Sequence, residues 1–195
     1  MARHIVVIQG HPDPRRHHFC HVLADAYVEG ARVARHRVRI VDVGALDFPV
    51  LRSQEDWQSG KPLPVIRAAQ GDIAWAHHLV ILFPLWLGTM PALLKAFLEQ
   101  VFRPGFAVSD AQDGRMWEKL LAGKSARIVV TMGMPALVYR WYFRAHGVKS
   151  LERNILAFSG IGPIKETLIG RVGDKSSTKR LQWILRLQAL GRDGA

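Results

Sequence analysis

A basic loop near the amino terminus carries residue types that bind phosphate. It follows an apolar run, His4–Gln9, and begins Gly10-His11-Pro12-Asp13-Pro14. A helical pattern starts near His18, and the free backbone amides and positive dipole end of a helix's first turn attract anions. The side-chain donors gathered here are His11, Arg15, Arg16, His17 and His18. Taken singly, the arginines and His17 fit an exposed basic turn better, but the loop as a whole favours phosphate binding.

A tryptophan and a glycine follow a second apolar run and could hold a flat ligand. The run Leu79-Val80-Ile81-Leu82-Phe83 predicts a strand buried on both faces, and Pro91 then opens a helix. The loop with Trp86 and Gly88 therefore lies beyond the carboxyl end of a central strand, where open α/β sheets bind ligands. A tryptophan that only caps the core, beside a glycine that only turns the chain, would give the same local pattern.

The sequence shows no machinery for metal catalysis or hydrolysis. Its nine histidines are scattered, and neither His17-His18 nor His77-His78 has partner ligands at zinc-type spacing. Ser159 lacks the Gly-x-Ser-x-Gly frame of a nucleophile elbow. Cys20 has no histidine and asparagine at a spacing that would activate it, so we interpret it as a small residue packed inside the first helix. Of the reaction classes considered, redox chemistry supplied by a flat cofactor is the one that remains.

Apolar runs and helical patterns alternate along the chain. The five predicted strands are residues 4–9, 37–43, 79–83, 126–131 and 154–159. The predicted helices are residues 18–34, 65–76, 91–102 and 137–146, and a basic amphipathic tail follows at about 171–195. This alternation is typical of right-handed βαβ units. The sequence therefore predicts an α/β protein, a single domain over residues 1–195, with a parallel sheet covered by helices on both faces.

Two doubly wound strand orders compete for this pattern. The dinucleotide-binding order requires Gly-x-Gly-x-x-Gly after the first strand, and Gly10 is instead followed by His11-Pro12. The flavodoxin-like order, 2-1-3-4-5, needs five strands and places flavin between the first and third. The two distinctive loops follow those same two strands, which favours the flavodoxin-like order.

Composition limits the remaining classes. At 195 residues the chain can bury a core without disulfides, and the lone Cys20 fits a reducing compartment. The amino terminus does not resemble a secretory signal, and no apolar stretch approaches the roughly 20 residues that span a bilayer, so we expect a cytoplasmic protein. The net charge of +11 comes without a long block of like charges or a nucleic-acid motif. A solvated basic surface explains it best, although contact with a membrane surface or an anionic substrate remains open.

Six motifs in a fixed order resemble the flavin-dependent NAD(P)H:quinone oxidoreductases of flavodoxin-like fold. This group contains DT-diaphorase and the bacterial quinone reductases related to the potassium-efflux ancillary proteins. The resemblance covers roughly residues 4–170. The motifs lie at residues 10–14, 47–51, 83–95, 104–107, 123–126 and 131–133.

The resemblance implies which residues hold the flavin. One edge and face of the isoalloxazine would be lined by Pro84, Leu85, Trp86, Leu87 and Gly88. Its pyrimidine side would contact Thr131, Met132, Gly133 and Met134. The cofactor's phosphate would contact His11, Arg16, His18, Phe19 and Cys20. Relatives often carry serine and asparagine where His18 and Cys20 stand, and often a second aromatic where Leu87 stands.

The same resemblance implies catalytic residues and a mechanism. Relatives have a tyrosine eight residues after the threonine and a histidine just beyond it, and Tyr139 and His146 echo this pair, His146 one residue late. We expect two-electron, ping-pong hydride transfer from NAD(P)H to a quinone or similar flat electrophile. Donors at the pyrimidine edge would stabilise the reduced flavin, with Tyr139 the first candidate and His146 the second. FMN is favoured over FAD because the chain ends soon after the fifth βα unit.

Partners and alternative functions follow from the same features. Relatives complete each flavin pocket with a second subunit, so we expect a homodimer, with Trp57, Phe106 and Trp117 in segments free for the contact. A non-enzymatic flavodoxin-like electron carrier is one alternative, although such carriers are usually acidic. A regulatory subunit of a membrane ion-efflux system is another. Steady-state oxidation of NADPH with a quinone separates the enzyme from both.

Overall fold

Five parallel strands form the centre of the protein. The computed structural model describes residues 2–15, 17–109, 117–173 and 176–195. The strands are β1 (His4–Gln9), β2 (Arg37–Asp42), β3 (His78–Pro84), β4 (Ser125–Thr131) and β5 (Ile164–Ile169). Their order is β2-β1-β3-β4-β5, and every neighbouring pair is parallel. The predicted flavodoxin-like order is confirmed, and the carboxyl ends of β1 and β3 lie side by side.

Helices cover both faces of this sheet. The helices are α1 (Phe19–Val33), α2 (Gln54–Gln58), α3 (Pro64–Trp75), α4 (Ala92–Val101), α5 (Ala136–Trp141), α6 (His146–Lys149) and α7 (Ser177–Asp193). A 3₁₀ turn spans Val43–Ala45, and α6 continues into a π-helical segment, Ser150–Ala157. Among the residues that the structure describes, none of the helices combines the length and the apolar character that crossing a bilayer requires.

The apolar runs of β1 and β3 are buried on both sides, as the sequence predicted. Val6 and Ile8 face the layer formed by α3, α4 and the π-helical segment. Ile5 and Val7 face the opposite layer, formed by α1 and α7. The alternating contribution to two cores explains why these strands read as continuous apolar runs.

The fifth strand differs from the prediction. Asn154–Ser159 was expected to form it, but these residues belong to the π-helical segment and the turn that ends it. Leu151 and Leu156 are the buried positions of this segment, and a short apolar run does not by itself distinguish a buried helix from a strand. The true β5 lies at the edge of the sheet and carries Lys165 and Glu166, so its sequence lacks the apolar signal of a central strand.

The basic tail forms a layer of the fold. Apart from 174–175, which lie outside the described residues, its main element is α7, which packs along α1. Leu187 is fully buried in this contact, whereas Leu181 and Leu185 on the same helix are exposed. The amphipathic pattern therefore covers the sheet rather than standing free from it.

Candidate functional site

The loops after β1, β3 and β4 meet at the carboxyl edge of the sheet. The amide of Gly10 donates to the carbonyl of Leu82 across 2.7 Å, and that of Leu85 donates to the carbonyl of Thr131 across 2.7 Å. The rings of His11 and Trp86 meet edge to face with centroids 6.2 Å apart. The structure thus brings together the phosphate-type loop and the tryptophan loop that the sequence singled out.

Buried side chains order the first loop. Gln9 is buried, and its Oε1 accepts hydrogen bonds from the amide of His11 across 2.9 Å and from Cys20 Sγ across 3.5 Å. Nδ1 of His11 accepts from the amide of Asp13 across 3.1 Å. The proton of a neutral His11 ring therefore sits on Nε2, which is left as a donor.

The electrostatics of the loop keep His11 neutral. Burial, together with the nearby rings of His18 and His21, lowers the pKa of His11 to about 4. The His11 ring stacks on that of His18 with centroids 4.0 Å apart and planes 17° apart. Near neutral pH, His11 can thus donate a hydrogen bond to an anion without carrying a charge of its own.

The carboxylate of Asp13 binds two basic side chains of the loop. It accepts from Arg15 through Nε at 2.9 Å and Nη2 at 2.7 Å, and from His18 Nε2 at 2.9 Å. These bonds hold the pKa of Asp13 far below its usual range. Ligand atoms of Asp13, His17 and His18 lie within 4.8 Å of one another, but a metal ion there would compete with Arg15 for both carboxylate oxygens. The group is better explained as an ion-pair cluster.

The first turn of α1 is open to an anion. His18 occupies the N-cap position without a side-chain cap hydrogen bond, and the first turn contains no acidic residue. The side chain of Cys20 is buried in the core, and burial raises the pKa of its thiol to about 12, so only its backbone amide can face a ligand. Phe19 is half-buried beneath the guanidinium of Arg180, and Arg16 lies outside the described residues.

The tryptophan loop is a tight hairpin turn. The amide of Trp86 donates to the carbonyl of Thr89 across 2.9 Å, and the amide of Thr89 donates back to Trp86 across 3.0 Å. Leu87 and Gly88 between them have φ angles of 47° and 81°, a pair of left-handed residues that a two-residue type I′ turn requires. The turn exposes half of Trp86 and the whole side chain of Leu87. Pro84 and Leu85 lead into it at the end of β3, both half-buried.

Tyr139 fixes this turn from below. Its side chain is fully buried, and its hydroxyl donates to the carbonyl of Gly88 across 3.0 Å and accepts from the amide of Val148 across 3.2 Å. Gly147 packs so closely that a Cβ there would lie 2.2 Å from the Gly88 carbonyl oxygen. The helix predicted for residues 137–146 is accordingly broken, because Arg144 and Ala145 adopt left-handed φ angles of 52° and 51° before α6 begins at His146. His146 itself is exposed.

The loop after β4 forms the third wall. Met132 is buried, and its amide donates to the carbonyl of Ile169 across 2.9 Å. Thr131 is buried beside it, whereas Gly133 is exposed and Met134 is half-buried. The loop therefore offers an open backbone edge at Gly133, next to the turn that carries Trp86.

Several contributors to this geometry were missed from the sequence. Gln9, Asp13 and Gly147 organise the loops without having been singled out for that role. For Asp13 a signal existed, since an acid two residues before an arginine in a Pro-rich turn often forms a local side-chain hydrogen bond to the backbone. The amide of Arg15 does donate to Asp13 Oδ1 across 3.0 Å. The partners of Gln9 and Gly147 depend on tertiary contacts.

A parallel sheet of this order, with distinctive loops after β1, β3 and β4, defines a doubly wound α/β protein, a class whose members bind ligands at the switch point of the sheet. The chain belongs to the family described by the flavodoxin-like fold, whose model matches residues 3–189.

Named relatives share this family. A ribosyldihydronicotinamide dehydrogenase-like protein of Penicillium crustosum is 26% identical over 78% of this chain, which spans 64% of that relative's length. NAD(P)H dehydrogenase [quinone] 1 of Rattus norvegicus is 24% identical over 97% of this chain and 78% of its own length.

Solved structures share the fold. An NAD(P)H:quinone oxidoreductase from Methanothermobacter marburgensis superposes with a TM-score of 0.81 at 20% identity, covering 100% of both chains. An FMN-dependent NADH-azoreductase from Bacillus anthracis, solved in complex with FMN, superposes with a TM-score of 0.77 at 14% identity, again covering 100% of both.

Proposed function

We propose that this protein is a flavin-dependent NAD(P)H oxidoreductase that reduces quinones or similar flat electrophiles. The observation that carries the proposal is the meeting of His11 and Trp86 at the carboxyl edge of the sheet, between the open first turn of α1 and the 86–89 turn. One side of this junction offers hydrogen-bond donors for a phosphate, and the other an aromatic ring and an accessible backbone for a flat ring system. The names of the two sequence relatives support the same chemistry.

The donor set of the first loop fits a flavin phosphate. The amides at the start of α1, the Nε2 proton of His11 and the cations now paired with Asp13 would hold it. We assign Arg16, His18, Phe19 and Cys20 to the same end of the cofactor, the last through its backbone. FMN is the preferred cofactor and FAD the alternative. NADH or NADPH would serve as the hydride donor.

The ring system would lie between the tryptophan turn and the β4 loop. We assign the isoalloxazine contacts to Pro84, Leu85, Trp86, Leu87 and Gly88 on one side and to Thr131, Met132, Gly133 and Met134 on the pyrimidine side. The bound flavin would supply two-electron hydride chemistry in a ping-pong cycle. The protein would contribute orientation, exclusion of water and donors at the pyrimidine edge.

The two expected catalytic residues receive different roles. Because the hydroxyl of Tyr139 is already engaged by Gly88 and Val148 inside the protein, we propose that Tyr139 is a positioning residue that holds the turn. His146 is exposed at the start of α6, and we propose it as the side-chain donor to the reduced pyrimidine edge.

We also propose a homodimer that covers the open side of the site. Large aromatic side chains are exposed at the end of α5, the helix whose Tyr139 contacts the tryptophan turn: Trp141 is 75% and Tyr142 80% exposed. Leu87, at the tip of the turn, is equally open to solvent. Trp117, one of the residues expected at a dimer contact, is half-exposed and packs edge-on against Phe158 with centroids 5.0 Å apart. A second copy would remove this surface from water.

The purified protein tests the proposal directly. We expect a yellow protein whose released flavin has the mass of FMN and whose absorbance bleaches anaerobically when NADH or NADPH is added. Steady-state oxidation of the nucleotide should then depend on a quinone acceptor. A colourless protein that takes up neither FMN nor FAD contradicts the proposal, and a flavin that no nicotinamide nucleotide reduces favours an electron carrier.

A paired substitution locates the flavin. Trp86→Ala should weaken flavin retention because it removes contact area at the ring. Trp183→Ala, on the outer helix α7, should leave retention unchanged. Equal loss of flavin from both variants would mean that Trp86 acts through stability alone. Sedimentation velocity of the wild type tests the proposed homodimer. A stable monomer with full turnover would contradict a site that needs a second subunit.

A further inference from the structure

A second cleft lies between the edge strand β5 and helices α5 and α7. Its volume is about 280 Å³, and three arginines line it: Arg127 from β4, Arg140 from α5 and Arg186 from α7. Glu166 is the acidic side chain in the lining. Its carboxylate lies 3.5 Å from Arg140, so that pair is balanced and two guanidinium groups remain.

Arg127 is the unusual member of this group. Only 6% of the residue is exposed, and Nη1 donates to Thr167 Oγ1 across 2.9 Å. Nε is buried and has no hydrogen-bond partner. Among the described residues, no carboxylate lies within ion-pair distance of Arg127, and its electrostatic neighbours include the cation of Arg186. A buried guanidinium next to a like charge is costly unless an anion accompanies it.

A second buried polar group without a hydrogen-bond partner lies near Arg127. The hydroxyl of Tyr27, on α1, lies within electrostatic range of Arg127, is fully buried and also lacks a hydrogen-bond partner. The buried N–H of Arg127 calls for an acceptor, and the buried hydroxyl of Tyr27, which can donate or accept, also calls for a partner. The cleft is thus rich in cations. The ring of Trp183 lies on its wall, and the Arg186 guanidinium lies 5.1 Å from that ring.

We propose that this cleft binds a phosphate group, held by Arg127, Arg140 and Arg186. Guanidinium groups bind phosphate through paired, charge-assisted hydrogen bonds, and the two positive charges that Glu166 leaves unbalanced match the charge of a dianion. The volume exceeds that of one phosphate, and the apolar side chains of Leu137 and Trp183 in the lining could contact an organic group that carries it. The site is separate from the proposed flavin loops and does not depend on them.

Phosphate titration of the protein as purified, with its flavin bound, tests this site. Isothermal titration with inorganic phosphate, at an ionic strength held constant with potassium chloride, should show saturable binding to the wild type. Arg186→Gln should weaken that binding about 10-fold, since one charge-assisted hydrogen bond of about 1.4 kcal/mol corresponds to that factor. Arg186 is exposed, so this variant should fold as the wild type does.

Two further variants complete the test. Arg127→Gln should abolish the saturable binding and keep the flavin. Arg67→Gln removes the same charge from the exposed surface of α3, on the other side of the sheet, and should bind phosphate like the wild type. If Arg67→Gln and Arg186→Gln weakened phosphate binding equally, the net charge of the protein would explain the effect, and the proposal would be overturned.

A parallel titration with ribose 5-phosphate distinguishes a free phosphate from a phosphorylated carrier. Tighter binding of the sugar phosphate than of inorganic phosphate supports a carrier in contact with the cleft wall. Equal binding supports free phosphate. If neither ligand binds saturably to the wild type, internal water accounts for the unpaired groups and the proposal is wrong.

Discussion

The two ends of the candidate flavin site are held by different forces. The first loop is organised by side-chain charges, with the carboxylate of Asp13 joining Arg15 and His18. The 86–89 turn is organised by two backbone hydrogen bonds and by the buried hydroxyl of Tyr139. Charged, partly exposed contacts respond to salt and pH, whereas buried neutral ones do not. For the proposed flavin site we infer that the first loop would set how tightly the phosphate binds and that the turn would set how the ring is oriented.

The largest effect should come from crowding the turn. In Gly147→Ala the new methyl group would lie 2.2 Å from the carbonyl oxygen of Gly88, so the backbone of the turn has to move. A displacement of this size near a reacting centre costs about 100-fold in kcat/KM. Steady-state quinone-dependent NADPH oxidation measures it. The control is Gly71→Ala on α3, where a Cβ meets no atom within 4 Å. Wild-type kinetics in Gly147→Ala would show that the turn does not control the reaction.

A smaller effect is expected from the hydroxyl that supports the turn. Tyr139→Phe leaves the Gly88 carbonyl and the Val148 amide without their partner, which should reduce the free energy of unfolding by about 1–3 kcal/mol. Because the turn that orients the ring is then less firmly held, we expect flavin reduction to slow by roughly 10-fold at nearly unchanged flavin content. Stopped-flow absorbance of the reductive half-reaction measures this rate. Reduction of Tyr139→Phe at the wild-type rate would leave Tyr139 a packing residue only.

In the first loop, the shifted pKa of His11 predicts that the free energy of unfolding depends on pH. The folded pKa of His11 is about 4, whereas the unfolded chain keeps a value near 6.5, so the unfolded state takes up the proton first as the pH falls. The stability that neutral His11 contributes is therefore complete above about pH 6.5 and is lost as the pH falls towards 4. Urea unfolding of the flavin-free protein should show a weaker pH dependence in His11→Gln than in the wild type.

A second histidine separates stability from binding in this test. His78 lies at the opposite end of the sheet, and burial lowers its pKa to about 4 as well. His78→Gln should weaken the pH dependence of unfolding in the same way but leave flavin affinity unchanged. His11→Gln should weaken the pH dependence of unfolding and also lower flavin affinity. Unchanged flavin affinity in His11→Gln would argue against its contact with the phosphate.

The smallest effect is expected from Asp13. Asp13→Asn keeps an oxygen for the Arg15 amide but removes the carboxylate charge, which leaves the Arg15 guanidinium and the His18 ring free to contact a bound anion. FMN affinity should rise a few-fold at low salt, and the difference should disappear at high salt because exposed charges are screened. Fluorescence titration at two ionic strengths measures it. A fall in affinity would mean that Asp13 orders the loop more than it repels the phosphate.

Central strands and their loops could be predicted from the sequence because burial on both faces leaves an apolar run. β1, β3 and β4 were predicted in this way, and the glycine, tryptophan and proline after β3 indicated the turn. β5 was not predicted because a half-exposed edge strand with Lys165 and Glu166 has little apolar pattern. The apolar run of the nearby π-helical segment was predicted as the fifth strand instead.

The internal supports of the site could not be predicted for a different reason. The bond from Tyr139 to Gly88 joins positions 51 residues apart, and the clash distance at Gly147 depends on the same contact. The family resemblance singled out Tyr139, but only the packed chain shows that its hydroxyl points into the protein. The arginine cleft likewise combines residues from β4, α5 and α7 that no motif connects.

Leu87 has a consequence for redesign. Its side chain stands free at the tip of the turn, while its backbone holds a left-handed φ of 47° that asparagine or glycine adopts more readily. Exchange of this residue therefore leaves the protein's own packing intact and relaxes its backbone where asparagine or glycine is chosen. A library at position 87 would vary the shape of the surface offered to an acceptor almost independently of folding, which makes this single codon an economical starting point for changing which molecules the protein accepts.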